Sequence, residues 1–404
     1  MTDPRALGRG TWALAAGETI VWAGLYYSFA ALLLTWEQTL GWPKAQLALG
    51  LTGALVMAAL MAPVSGRVID AGHGRWLLSL GALGGALALG ALALVQTPAA
   101  FLAAWAAIGL ALGACLYEPC FAFVTRTAGA QARRVITRIT LAAGFASTIA
   151  FPAGAYLATV IGWRSTVLVF AAVVALLGAP LLHLGARWLE RGADPDTPRP
   201  GRQENRAALS AALRRRRFWL IALAFPIVAI NHGILINHMI PMLVERGLTA
   251  TLAVTAASTV GPMQVAGRVA MTLLGRETPA RQLSLFAFGG ILVAGAALLI
   301  AGATPALVFA FAATQGAGYG MISILKPVLT AEALGRQGFG AIAGWLALPY
   351  LAGYAAAPLL GALIWEWGGY GLVIRATFAM AALGLVAIAA LARLITREEA
   401  RAAA

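Results

Sequence analysis

Twelve long apolar runs dominate this chain, at residues 12–36, 45–65, 76–95, 99–124, 139–160, 165–182, 218–243, 253–274, 283–300, 305–325, 340–365 and 372–391. A helix crossing a bilayer needs about 20 mostly apolar residues, and inside lipid every backbone polar group must be satisfied within the structure. Runs of this length and number leave one class of fold, an all-α membrane protein with twelve transmembrane helices. Composition excludes a soluble domain. The chain is 61% hydrophobic and 11% charged, against about 25% charged in soluble proteins, so it lacks the side chains to coat a water-exposed surface.

One long polar stretch interrupts the series. Residues 183–217 read HLGARWLERGADPDTPRPGRQENRAALSAALRRRR, rich in charge with Pro and Gly throughout. The organisation expected is therefore an N-terminal six-helix half (1–182), a hydrophilic linker (183–217) and a C-terminal six-helix half with its tail (218–404). Twelve spans place both termini on one side, and the Lys/Arg bias identifies that side as cytoplasmic. Of the 29 Lys and Arg residues, 24 fall on the side of the termini, 4 on the opposite side and one, Arg268, inside a span; Lys326 is among the 24, in the loop after the tenth span. The net charge of +14 thus records topology and contact with anionic lipid headgroups, and a nucleic-acid partner is not expected. The first apolar run is too long for a signal-peptide core and has no small-residue cleavage site, so it is read as a span.

Small residues spaced four apart, Gly81 with Gly85 and Gly109 with Gly113, permit close helix approach where lipid gives no hydrophobic drive. Cys115 and Cys120 are five apart in an apolar run, which suits packing and gives no metal or disulfide pattern. No glycine-rich nucleotide loop, HExxH or serine-nucleophile motif sits in a suitable context. No enzyme activity, cofactor or metal is expected, and energy for any transport would come from ion gradients. His238, Met239 and Met242 offer soft donors, but without a thiolate pair they make a weak metal set.

Between the second and third spans the chain reads GRVIDAGHGRW. Gly66, Asp70, Gly74 and Arg75 in this turn, within a six-plus-six arrangement, resemble the loop signature of the major facilitator superfamily. That resemblance implies a two-halved transporter with a central site and alternating access, in which the acid and the basic residues latch the cytoplasmic side and release during the cycle. The plain alternative is a charged turn obeying the positive-inside rule.

Arg268, in GPMQVAGRVAM of the eighth span, is similar to the substrate-binding arginine of the monocarboxylate transporter and oxalate:formate antiporter branch. An intramembrane cation is costly and marks function by default, and a guanidinium fits a carboxylate in a planar, two-pronged way. The monocarboxylate carriers place an aspartate four residues earlier, where this chain has Gln264. The alternative is an inter-helix strut or a residue snorkelling to the cytoplasmic end.

Glu18 lies at comparable depth in the first span and is the candidate proton carrier and the candidate partner of Arg268. In the seventh span, Asn231 and His238 are seven apart and share a face, while His232 points elsewhere; both histidines are candidate proton carriers or substrate donors, or else hydrogen-bond to neighbouring helices. Trp22, Tyr26, Tyr27, Tyr350 and Tyr354 suit the wall of a cavity for an organic solute, or ordinary helix packing. The reading that follows is a multi-pass transporter of the bacterial inner membrane, acting as a monomer and moving a small organic anion, preferably a monocarboxylate, with a proton. The rivals are an efflux carrier for amphipathic compounds, a metal-ion carrier and a receptor without flux.

Overall fold

The computed structural model describes residues 4–192, 202–274, 278–302 and 304–403, and every regular element among them is helical. The first span is α1 (Pro4–Val21), a π-helical turn (Trp22–Tyr27) and α2 (Ser28–Leu40). Next come α3 (Lys44–Val68) and α4 (Gly74–Leu92), joined by a second π-helical turn at Ile69–His73. α5 (Pro98–Cys115) and α6 (Tyr117–Ala128) make one span broken at Leu116, followed by α7 (Ala132–Ala143), α8 (Ala146–Val173) and α9 (Ala179–Gly192). α10 (Arg202–Leu213) precedes α11 (Arg216–Glu245), α12 (Ala250–Leu274), α13 (Ala280–Ala301), α14 (Pro305–Leu334) and α15 (Phe339–Ala403).

Seven helical stretches are long and apolar enough to cross a membrane, and three of them, of 47, 95 and 62 residues, have room for more than one crossing. The divisions inside them fall at glycines. α8 turns at Gly162 (φ 78°) and α15 at Gly369 (φ 63°), left-handed conformations that only glycine adopts without cost. With α12, which carries Gln264 and Arg268, these stretches supply the twelve transmembrane helices that the apolar runs indicate.

The helices divide into two compact units, the first comprising Met1–Leu209 with Arg336–Leu348 and the second Ser210–Gly335 with Pro349–Ala404. In the first, glycines seat helices backbone to backbone. A Cβ on Gly109 would lie 2.3 Å from the Ala54 carbonyl oxygen and one on Gly113 2.7 Å from that of Ala58, so α5 meets α3 at a distance no larger residue allows. Its core is aromatic, with Trp36 edge-on to Phe101 and Trp105 at centroid distances of 5.2 and 6.0 Å. In the second unit Gly267, Gly316 and Gly320 do the same for α12 against α14, over a core that includes Phe311, Leu298 and Met239. Leu87, Phe286, Ile300 and Trp367 are each more than two-thirds exposed, the outward apolar surface that lipid solvates.

Lys326 does not lie in a loop. α14 continues past it to Leu334, and the lysine is buried within the helix. Hydropathy ends a span at its first charge, whereas α14 carries Lys326 onward under cover of protein. The polar stretch at 183–217 is helical on both flanks, where α9 runs to Gly192 and α10 begins at Arg202; its centre, 193–201, and Arg276 lie outside the described residues.

Candidate functional site

Three clusters place the polar residues of the spans and of the glycine-rich turn. The first surrounds Asp70, which sits in the Ile69–His73 π turn. Gly72 takes φ 88° there, reversing the chain so that the Asp70 carboxylate points at the start of α15. Its two oxygens accept the backbone N–H groups of Gly340 at 2.8 Å and Ala341 at 2.7 Å, an N-terminal cap aided by the helix dipole. Burial pushes the Asp70 carboxyl up, against these two backbone donors and the Arg126 guanidinium, which favour its charged form. Arg126 also donates to the Ile69 carbonyl, and the Asn205 amide of α10 reaches the Asp70 carbonyl at 3.4 Å.

The other motif residues each have a physical task here. A Cβ on Gly66 would fall 1.9 Å from the Gly340 carbonyl oxygen, and one on Gly74 2.4 Å from the Phe123 ring. Arg75 pairs with Glu190 at 3.6 Å and lies over the Trp76 ring. A small cavity of about 10 Å³ lies beside the cap, lined by Ser65, Gly66, Glu118, Gly340 and Gly344 among others.

The second cluster lies elsewhere in the same unit. Glu18 is fully buried in α1. The Cys120 thiol and Trp22 indole lie beside it, yet its carboxylate oxygens have no partner in hydrogen-bond geometry among the described residues. Both cysteines approach it because the helix breaks at Leu116, whose extended ψ of −164° resets the direction of the chain between them. Cys115 and Cys120 are both free and buried, as packing residues would be, and Cys120 packs beside the carboxyl.

The third cluster belongs to the second unit and gathers around Arg268. Its Nε donates to the Gly320 carbonyl at 3.2 Å, an approach possible because a Cβ on Gly320 would lie 2.2 Å from the Gln264 carbonyl oxygen. Gln264 faces His232 at 3.5 Å, and His232 stacks on Tyr319 with centroids 3.5 Å apart. Gln315 donates to the Asn231 side-chain oxygen at 3.1 Å, while the Asn231 amide donates to the Thr377 carbonyl at 2.7 Å. Tyr319 and Tyr350 share a hydroxyl hydrogen bond of 3.0 Å, and the Lys326 ammonium sits 3.8 Å from the centre of the Tyr350 ring. The result is one connected set of a guanidinium, an ammonium, amides, an imidazole and phenols.

The structure brings together Arg268, Gln264, Asn231, His232 and Tyr350 as sequence-derived candidates. His238 does not join them: it faces the Pro358 carbonyl at 3.0 Å and packs beside Gly361. The pairing expected of Asn231 with His238 thus gives way to Asn231 with His232, because α11 is enclosed on several sides and adjacent positions both face protein. Tyr354 packs against Gly233. Trp22, Tyr26 and Tyr27 group with one another in the first unit. Gln315, Tyr319 and Lys326 were missed, although each is a polar side chain in an apolar helix, the signal that singled out Arg268.

No curated protein matches the sequence. Among solved structures, a variant of the E. coli fucose:proton symporter superposes with a TM-score of 0.68 at 16% identity, covering 95% of this chain and 98% of that one. A transporter of the same name in the outward conformation gives 0.62, also at 16% identity. At that identity the likeness speaks of fold alone. The sequence profile of the Major Facilitator Superfamily matches residues 14–348, and the chain belongs to that superfamily.

Proposed function

We propose that this integral membrane protein is a secondary transporter of the bacterial inner membrane, carrying a small monocarboxylate with a proton by alternating access. The observation that carries the substrate class is Arg268, buried inside a span with its Nε on the Gly320 carbonyl and in one network with the Lys326 ammonium. A guanidinium holds its charge at any relevant pH and presents paired N–H groups to a carboxylate. Gln264, His232, Asn231, Tyr319 and Tyr350 supply the polar and aromatic groups that would orient the rest of the solute, and Trp22, Tyr26, Tyr27, His238 and Tyr354 stand as further candidates. Glu18 is the proposed proton carrier, a carboxyl fully buried in the first span beside the Cys120 thiol and the Trp22 indole. His232 and His238 are secondary candidates for that role. The Asp70 cap on Gly340 and Ala341, braced by Arg126, is the proposed cytoplasmic latch, with Gly66, Gly74 and Arg75 as its frame. The termini face the cytoplasm on this reading, and the protein works as a monomer.

Uptake of labelled lactate or pyruvate into proteoliposomes tests the assignment. An inward proton gradient should stimulate uptake, and Arg268→Ala should lower it by about a hundredfold or more, in keeping with the loss of a charged hydrogen-bond donor. Arg268→Lys should restore part of it. Uptake indifferent to both the gradient and Arg268 would overturn the proposal.

A further inference from the structure

α4 and α9 lie side by side in the first unit, where the glycine-rich turn leads into α4. His183 of α9 meets α4 edge-on to the Trp76 ring, with centroids 4.7 Å apart, and its Nδ1 shares a 3.3 Å hydrogen bond with the Ser79 hydroxyl. Two turns further along α9, Glu190 faces Arg75 at 3.6 Å. Rising numbers on one helix thus meet falling numbers on the other, so the pair is antiparallel and its polar contacts gather at one end. Away from that end the surface is apolar. On α4, Trp76, Leu80, Leu83 and Leu87 recur at helical spacing, and all four are exposed. The π turn Val174–Gly178 and α9 add Leu176 and Leu184, also exposed.

The polar end carries an excess of positive charge. Together α4 and α9 hold three arginines, Arg75, Arg187 and Arg191, against one acid, Glu190. Arg75 and Arg187 both act electrostatically on His183, which places them around one spot, and Arg187 is exposed there. The Arg75–Glu190 separation is too long for a hydrogen bond, and the Arg75 Nε has no acceptor among the described residues. A partner for this face must therefore bring negative charge to one end and hydrocarbon to the rest. Inorganic phosphate would leave the leucines bare. A second copy of the chain, with its own net charge of +14, would add cations to cations. A zwitterionic lipid has the hydrocarbon and no net charge. An anionic phospholipid has both, since guanidinium groups grip phosphate through paired N–H donors and tryptophan settles at headgroup level.

We infer that the α4–α9 face of the first unit binds an anionic glycerophospholipid, its phosphate held by Arg75 and Arg187 and its acyl chains laid along the exposed leucines. The site shares no residue with the Arg268 network. Arg75 also frames the proposed latch, so Arg187 carries the test.

Native mass spectrometry and thermal shift of the purified full-length protein decide the matter, with phosphatidylglycerol and phosphatidylcholine of the same acyl chains as probes. Phosphatidylglycerol should bind about tenfold or more tightly than phosphatidylcholine and raise the thermal midpoint. Arg187→Gln should weaken phosphatidylglycerol binding by about fivefold, the scale of one basic residue at an anionic surface. Arg393→Gln, which removes an exposed arginine of α15 in the second unit, should leave that binding unchanged. Soluble glycerol phosphate should not displace the lipid. Equal binding of the two lipids, undiminished affinity in Arg187→Gln, or an equal loss in Arg393→Gln would each overturn the proposal. So would displacement by glycerol phosphate, which marks a site for free phosphate, or a dimer that excludes phosphatidylglycerol, which marks a contact between copies of the chain.

Discussion

The two units treat buried charge in opposite ways. In the second, Arg268 is held by the Gly320 carbonyl, and Lys326 rests on the Tyr350 ring; both cations sit in a set of hydrogen-bonded amides and phenols. In the first, Glu18 is buried with no hydrogen bond to its oxygens among the described residues, and Asp70 spends its charge on two backbone N–H groups of a segment far along the chain. A satisfied polar network rigidifies its surroundings, whereas a poorly satisfied buried group is held by the rest of the fold and stores free energy that a ligand or a proton can release. On the proposed function, recognition belongs to the second unit and switching to the first, where Glu18 is the group that departs from a satisfied network.

Glycine substitutions test this most severely. Gly320→Ala would force a methyl to 2.2 Å from the Gln264 carbonyl oxygen, inside the α12–α14 seam, and Gly66→Ala would force one to 1.9 Å from the Gly340 carbonyl oxygen, at the proposed latch. Overpacking of this kind costs about 1–3 kcal/mol. Gly320→Ala should lower the thermal midpoint of the purified protein and abolish its lactate response together. Gly66→Ala should leave the lactate response within about threefold while uptake falls by about tenfold or more, because its cost falls on the latched state alone. Loss of ligand binding in Gly66→Ala, or retention of it in Gly320→Ala, would break the division of labour.

The same contrast explains what was legible beforehand. The spans were, since lipid demands long apolar helices whatever the details. So was the glycine-rich turn, whose Gly66, Asp70 and Gly74 each meet a steric or hydrogen-bonding demand that the residue type itself announces. Arg268 and Gln264 stood out as polar residues at helical spacing in an apolar helix. Lys326 did not, because hydropathy closes a span at its first charge and cannot tell that α14 carries its lysine into protein. The clustering of Trp22, Tyr26 and Tyr27 was only half readable, since a π turn shifts the phase of a helix without any marker in composition. The approach of Cys120 to Glu18 depends on the break at Leu116, which has neither Gly nor Pro to signal it.

Smaller effects should follow from the charge on Asp70. Asp70→Asn keeps one acceptor for the start of α15 and loses the charge that favours it, at a cost of about 1 kcal/mol. Uptake should change by about fivefold, in the direction set by whichever state is rate-limiting, with the thermal midpoint nearly unmoved. Asn205→Ala removes the 3.4 Å bond to the Asp70 carbonyl and should produce a weaker change of the same sign. Opposite signs would show that α10 does not act through the latch.

The least effect is expected where the second unit is tied at its end. Glu398 of α15 pairs with Arg217 at the start of α11, and Glu399 with Arg281 of α13 at 2.6 Å. Arg217 also donates to the Ala333 carbonyl at 3.0 Å, closing the last turn of α14. Both glutamates are about half exposed, and pairs of that kind contribute about 0.2–1 kcal/mol each and weaken as salt screens them. The double variant Glu398→Gln with Glu399→Gln should therefore lower the thermal midpoint slightly at low ionic strength, and the difference should vanish near about 1 M salt. Lactate uptake should be unchanged, since these pairs join helices within a unit assigned to recognition and none of them to the latch. A change in uptake comparable to that of Asp70→Asn would mean that the end of α15 takes part in switching, and the line between the two units would have to be redrawn through α15.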